Sequence, residues 1–216
     1  LSNRNLIING AMQVAQRGAS ETSVTSSQYA NAPDRFKVSM SGAGTWTVSQ
    51  STTSPEGFSN SYKFDCTAAN SSLASDSNIQ LLQRIEGINL QQLAKGTSGA
   101  KEFTLSFYCK ANANATYAVE LLDTDNTRSV SKTFSVTTAW TRVSLTYPAD
   151  TTGAFTDSNA AALYVIIWLH AGSDVTSGTL NSTSWAANVE ANRVSGSQTS
   201  FLDRDINQMV LNPHLD

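Results

Sequence analysis

Apolar and polar residues alternate along most of this chain with a period of two, and segments with helical periodicity are scarce. Such alternation is typical of strands that bury one face and expose the other. The predicted strands are short and follow one another at intervals of about 8–15 residues, which is typical of a sandwich or barrel. The sequence therefore predicts an all-β fold, a jelly-roll β-sandwich of two antiparallel sheets with at most one short helix.

Four segments make this prediction specific. Residues 103–109, FTLSFYC, form the clearest strand with one apolar face. Residues 162–170, ALYVIIWLH, are apolar on both faces and predict a central strand that is covered on both sides. The apolar positions of 36–48 predict a hairpin that turns at SGAG, and 89–95 predict a short helix that Gly96 ends.

The opening NRNLIING predicts the short first strand of a jelly roll, paired beside a late strand. Leu6 and Ile8 would face the core, and Asn5 and Asn9 would end the pairing. Asparagine and glycine tolerate a positive φ, so Asn9 and Gly10 would let the chain leave the sheet sharply.

No repeat or linker divides the chain. We therefore expect one domain, with the jelly roll in residues 1–192. The weaker pattern of residues 193–216 predicts a C-terminal extension that docks on a neighbouring molecule.

The composition is weakly charged: 14% of the residues are Asp, Glu, Lys or Arg, and the net charge is −3. Binding to phosphate backbones needs a basic surface, so we expect no nucleic-acid partner. About a quarter of the chain is serine or threonine, an unusually high share. No apolar run approaches the roughly 18 residues of a membrane-spanning helix. Capsid, fibre and lectin domains share this composition, but so do secreted enzymes.

Side chains that carry catalysis or bind metals are sparse. The two histidines, His170 and His214, and the two cysteines, Cys66 and Cys109, show no metal-ligand spacing. We therefore expect no metal-binding side chains, no cofactor and no enzymatic activity, and a structural calcium held by backbone oxygens is left open. Both cysteines lie in alternating apolar runs and are interpreted as buried free thiols, with a disulfide open only if their strands are neighbours.

Binding by aromatic side chains is a better candidate for the function. Sugars pack their C–H faces on Trp or Tyr rings, and their hydroxyls pair with polar side chains. If the strands at 103–107 and 165–169 turn their odd-numbered residues to the core, their even-numbered side chains lie on the opposite face. The candidate carbohydrate-binding residues, on the concave side of one sheet, are Tyr108, Glu120, Tyr164 and Trp168. The alternative is the reversed phase, in which Tyr164 and Trp168 are ordinary core residues.

Two parts of the sequence resemble known families. The opening NLIINGAMQVAQRG, followed by Tyr29 and by APDRF at 32–36, resembles the start of many bacteriophage virion proteins, including tail-fibre modules and decoration proteins. The segments 103–110 and 139–145, FTLSFYCK and AWTRVSL, resemble strands of jelly-roll carbohydrate-binding modules. The C-terminal region lacks the Leu-Glu-x-Gly segment that the phage proteins often carry, so no detail is transferred there.

The resemblance implies a location in the virion, other virion proteins as partners, and a homo-oligomer such as a trimer. The expected function is that of a tail-fibre or tail-tip module that recognises host surface glycans. The alternative is a capsid or tail decoration protein that cements its neighbours and has no sugar site. Such modules have no catalytic residues.

Overall fold

The computed structural model describes residues 5–198 and the backbone of residues 206–211. Its strands form two antiparallel sheets, and they are β1 (Ser20–Val24), β2 (Lys37–Ser41), β3 (Thr45–Ser51), β4 (Ser61–Ala68), β5 (Asn78–Glu86), β6 (Phe103–Cys109), β7 (Ala115–Asp123), β8 (Arg128–Val136), β9 (Thr141–Tyr147), β10 (Ala161–Ala171), β11 (Ala186–Ala187) and β12 (Ile206–Leu211). The first sheet has the order β1-β3-β4-β12-β6-β9, and the second has the order β11-β8-β7-β10-β5-β2.

Most connections carry the chain from one sheet to the other, so that β4, β5, β6 and β7 alternate between the sheets. This is the predicted jelly-roll β-sandwich, with the core between the two inner faces. One short α-helix, α1 (Ser173–Thr176), lies in the described part of the chain. The helix predicted at 89–95 is instead two 3-10 turns, Gly87–Asn89 and Gln91–Leu93, which the left-handed Ala94 ends.

The central position of β10 is confirmed. It pairs with β5 on one side and β7 on the other, and both of its faces are covered. Val165 and Ile167 point into the main core between the sheets, whereas Ile166 and Trp168 belong to a smaller apolar cluster on the outer face of the second sheet. A strand buried on both faces reads as a continuous apolar run, which is why this segment is recognisable in the sequence.

The predicted hairpin at 36–48 is wrong. β2 pairs with β5 in the second sheet and β3 pairs with β4 in the first, so the SGAG segment crosses between the sheets. Gly42 and Gly44, with φ of 59° and 87°, allow this corner. The alternation is the same in both arrangements, because β2 and β3 face a common core from opposite sides.

The predicted first strand at Leu6–Ile8 is also wrong, since the chain turns there and Ile8 is exposed. The side-chain oxygen of Asn5 accepts a hydrogen bond from the Ile7 N–H, which folds the segment locally. The buried amide of Gln83 then accepts from the Ile8 N–H at 2.8 Å and donates to the Ile8 carbonyl at 2.8 Å. One side chain thus satisfies the backbone groups that a neighbouring strand would otherwise satisfy.

The backbone of β12 lies between β4 and β6 in the first sheet. The predicted boundary after residue 192 therefore separates this strand from the sheet that contains it. Residues 199–205 and 212–216, which make up half of the predicted extension, lie outside the described residues. Docking of this region on a neighbour stays a prediction.

Candidate functional site

The four predicted carbohydrate-binding residues do not share one sheet. Glu120 on β7 and Tyr164 and Trp168 on β10 lie on the outer face of the second sheet, in the predicted phase. Tyr108 lies on β6 of the first sheet, where its ring packs beside that of Phe58 at 5.9 Å. Alternation shows which face of a strand is buried but not which sheet the strand joins, so the predicted placement of Tyr108 is wrong.

The outer face of the second sheet is largely covered by residues 172–198, which we call the covering segment. Val175 and Val194 of this segment pack on Trp168, which is only 1% exposed. The Gln198 side chain donates to the Trp168 carbonyl at 3.0 Å, and the Gly172 N–H donates to Ser77 at 2.8 Å. The predicted platform around Trp168 is therefore closed to solvent in this structure.

Glu120 lies under the same segment and is fully buried. The Arg193 guanidinium donates to both of its carboxylate oxygens, at 2.8 and 2.9 Å, and the Trp168 indole donates at 3.0 Å. Burial raises the pKa of Glu120 above its ordinary value, against the opposing effect of the Arg193 and Trp168 donors. These contacts fasten the covering segment to the sheet, and a sugar-binding role for Glu120 or Trp168 stays a prediction.

An open cleft lies at the other end of the same face, and we call it the Tyr29 cleft. It has a volume of about 610 Å³. Besides Tyr29, the cleft has a polar and charged lining of Gln16, Arg17, Asp34, Arg35, Arg84, Glu86 and Asn159. Pockets of this size with a few fixed polar groups are the usual form of small-ligand sites.

The opening of the chain builds one wall of this cleft. Asp34 accepts hydrogen bonds from the Gln16 N–H at 2.7 Å and from Arg17 Nε at 3.0 Å. These two donors hold the pKa of Asp34 below its ordinary value, although its partial burial opposes them. Asn9, with φ of 59°, donates to the carbonyls of Val14 and Asp34 and so ties the two segments together.

Tyr29 provides the exposed aromatic surface of the cleft. Its side chain is 47% exposed, and the Arg17 guanidinium lies 5.5 Å from the ring centroid. Arg17 also donates to the Tyr29 carbonyl at 3.2 Å, so the arginine is held from two directions. A sugar ring could pack on the free face of Tyr29 while its hydroxyls meet fixed donors and acceptors.

The opposite wall comes from β5 and from the start of β10. Arg84 is exposed, and its guanidinium lies over the ring of Tyr164 at 4.9 Å. Arg35 donates to Glu86 at 3.3 Å, and both residues line the cleft. Tyr164 is thus the one predicted binding residue that supports a side chain of the cleft.

Interpretation of the sequence missed the cleft itself. In the sequence, Arg17, Tyr29, Asp34 and Arg35 stand out only as parts of a motif that resembles phage proteins, and Arg84 is one polar position in a strand. The usable signal was the pair Gln-Arg at 16–17 and Asp-Arg at 34–35, where charged side chains of both signs flank an aromatic residue. Nothing in the sequence indicated that these segments meet β5.

The described residues hold no group of three His, Cys, Asp or Glu side chains arranged for a metal ion. No helix in this part of the chain has the length and apolar character needed to cross a membrane. Cys66 and Cys109 form no disulfide, and they lie on β4 and β6, which β12 separates.

Comparison with known proteins finds no matching family model and no matching curated protein. Among solved structures, the enzymatically active domain of bacteriophage CBA120 tailspike protein 4 is similar at 14% identity and a TM-score of 0.47, over 97% of this chain and 21% of that one. This chain thus spans about a fifth of the tailspike chain.

Two carbohydrate-binding modules are also similar. A family 4 module has 17% identity and a TM-score of 0.42, over 96% of this chain and 99% of that one. A family 61 module in complex with β-1,4-galactotriose has 11% identity and a TM-score of 0.42, over 98% of this chain and 99% of that one. We therefore infer function from the side chains of the cleft and not from these likenesses.

Proposed function

We propose that this chain is a glycan-binding module of a bacteriophage virion and that it holds saccharide in the Tyr29 cleft. The observation that carries the proposal is the half-exposed ring of Tyr29 at the edge of an open cleft of about 610 Å³ with a charged and amide lining. The virion role rests on the opening segment, which resembles the start of phage virion proteins. Some of the residues that carry this resemblance also build the cleft.

Binding would combine stacking with hydrogen bonds. The C–H face of a sugar ring packs on Tyr29, while guanidinium groups donate to hydroxyl oxygens and carboxylates accept from hydroxyl protons. Because Arg17 is already fixed by Asp34 and by the Tyr29 carbonyl, little side-chain entropy is lost on binding. An open, shallow site of this kind gives weak affinity per copy, which several copies in one virion would multiply.

The test is affinity electrophoresis of the purified chain through gels that contain bacterial polysaccharides, followed by titration calorimetry. Tyr29→Ala is expected to weaken binding by about tenfold or more, since it removes the stacking surface. Tyr108→Ala is the matched control, a half-buried tyrosine on the other sheet, and is expected to bind as the unaltered chain does. Retention of full affinity by Tyr29→Ala would overturn the assignment of the site.

A decoration protein without a sugar site is the second candidate. The observation that favours it is the burial of Trp168 and Glu120 under the covering segment, which removes the predicted aromatic platform from the surface. It predicts saturable binding to phage particles that lack this protein, together with no retention by any polysaccharide gel. Binding to particles that Tyr29→Ala leaves unchanged would support this candidate over the first.

A further inference from the structure

We propose that the saccharide bound in the Tyr29 cleft carries a carboxylate, as a uronic acid does, and that Arg84 receives this group. The inference rests on the proposed function and names the class of ligand for the same site. It follows from the charges that line the cleft, from the ion pairs among them, and from the position of the one lining guanidinium that has no carboxylate partner among the described residues.

The cleft is locally basic in an acidic chain. Three guanidinium groups, those of Arg17, Arg35 and Arg84, line it beside the two carboxylates of Asp34 and Glu86. The chain as a whole carries a net charge of −3. A concave surface with an excess of one sign concentrates ligands of the opposite sign.

Two of the three arginines are neutralised within the cleft. Arg17 pairs with Asp34 at 3.0 Å, and Arg35 pairs with Glu86 at 3.3 Å. The second oxygen of Glu86 accepts from the Asn89 amide at 3.3 Å, so both oxygens of this carboxylate have donors. Glu86 lies on the same face of β5 as Arg84. Because its oxygens already have donors, it competes only weakly with a ligand carboxylate for the Arg84 guanidinium.

Arg84 has no carboxylate partner among the described residues. Its guanidinium carbon lies over the ring of Tyr164, 4.9 Å from the ring centroid. Such packing uses the flat face of the guanidinium and leaves the N–H groups at its edge free to donate. Tyr164 is thus a positioning residue that holds an unneutralised charge at the wall of the cleft.

The geometry of that charge favours a carboxylate. A guanidinium presents parallel N–H donors that match the two oxygens of a carboxylate, and such bidentate pairs are shorter and stronger than neutral hydrogen bonds. With Tyr29 offering a ring for stacking in the same cleft, the arrangement fits a sugar that has an apolar face and an acid group. The single unpaired guanidinium provides too little charge for a nucleic-acid backbone.

The experiment uses acidic bacterial polysaccharides, each paired with its own carboxyl-reduced form, in which the uronic acids have become neutral sugars. We expect the unaltered chain to bind the acidic form at least about tenfold more tightly at low salt, with the difference shrinking as sodium chloride is added. Arg84→Gln is expected to abolish the difference. Arg142→Gln, which removes an exposed arginine of β9 in the first sheet, is the matched control and should retain it.

Three further variants test the roles of the paired donors and of the supporting ring. Arg84→Lys retains the charge without the paired donors and should keep only part of the preference. Tyr164→Leu removes the supporting ring and should reduce the preference, whereas Tyr164→Phe should preserve it. Thermal unfolding of each variant shows whether it is folded.

The outcomes separate the two proposals. Equal binding of both forms would overturn the acidic ligand, and a preference that survives Arg84→Gln would overturn the assignment of Arg84, while in both cases the glycan-binding function stands. Failure to bind any polysaccharide, acidic or neutral, would overturn both. Binding of the acidic form alone, lost in Arg84→Gln and in Tyr29→Ala, would support both.

Discussion

Replacement of Lys95 by methionine is expected to destabilise the protein strongly, because the buried ammonium group of Lys95 contacts two carboxylates and two backbone carbonyls. The side chain is 4% exposed and makes ion pairs with Asp123 at 2.6 Å and Asp150 at 3.2 Å. It also donates to the carbonyls of Thr152 and Gly153 at 2.9 and 2.7 Å. Methionine matches the apolar stem of lysine as far as Cε but makes none of these four contacts.

The magnitude follows from what the substitution leaves behind. Asp123 is fully buried and would keep, among the described residues, its bonds from the Asn126 backbone and side chain, at 3.0 and 2.9 Å. Asp150 would keep the two donors of Arg128. Removal of one partner from a buried ion pair costs about 3–5 kcal/mol, so we expect a loss of about 4 kcal/mol. In a domain of this size that loss lowers Tm by about 8–16 °C.

The assay is equilibrium unfolding in urea, with Lys63→Met as the control. Lys63 pairs with Asp65 at 3.1 Å, but its side chain is 32% exposed, and exposed pairs contribute about 0–1 kcal/mol. A free energy of unfolding for Lys95→Met within about 1 kcal/mol of the control would refute the reasoning. It would mean that water or a rearranged loop satisfies Asp123 as well as the ammonium does.

Three other predictions concern single side chains. Asn9→Ala should cost about 2 kcal/mol in urea unfolding through its lost hydrogen bonds, and Asn9→Gly about 1 kcal/mol less, because φ is 59° there. With a thiol reagent near pH 8 only Cys66 should react quickly, since burial raises the pKa of the Cys109 thiol to about 12, and equal rates would contradict this. Burial lowers the pKa of His170 below 6.5, so the unfolded state takes up its proton first and stability should fall as pH drops below about 6.5. Urea midpoints at pH 7 and pH 5 should differ more in the unaltered chain than in His170→Asn, and identical shifts would count against this account.

Strand positions could be predicted from the sequence because burial of alternate side chains leaves a pattern in every strand. β6 and β10 lie where the apolar positions placed them, and the inward phase of Leu105 and Val165 is confirmed. The pairing of strands left no such pattern. β2 and β3 alternate as a hairpin would, yet they join different sheets, since both arrangements turn the same side chains to the core.

The covering segment could not be predicted, and the reason is physical. Val175 and Val194 are isolated apolar residues in a polar stretch, and neither sets up a periodicity. Their contacts with Trp168 depend on a long-range fold of irregular backbone. The sequence therefore predicted the correct face for Trp168 and Glu120, but not that this face would be covered.

The opening segment contributes both to the core of the fold and to a wall of the cleft, so a substitution there affects both. Leu6 and Ile7 are buried in the core between the sheets, while Arg17 belongs to the cleft and is fixed through Asp34. Because Asn9 bonds to the carbonyls of Val14 and Asp34, a change that loosens the opening of the chain must also loosen a wall of the cleft. Loss of binding on substitution in this segment therefore says little about ligand contact. Arg84 lies on β5 outside it, and substitution of this residue tests recognition without disturbing the fold of the opening.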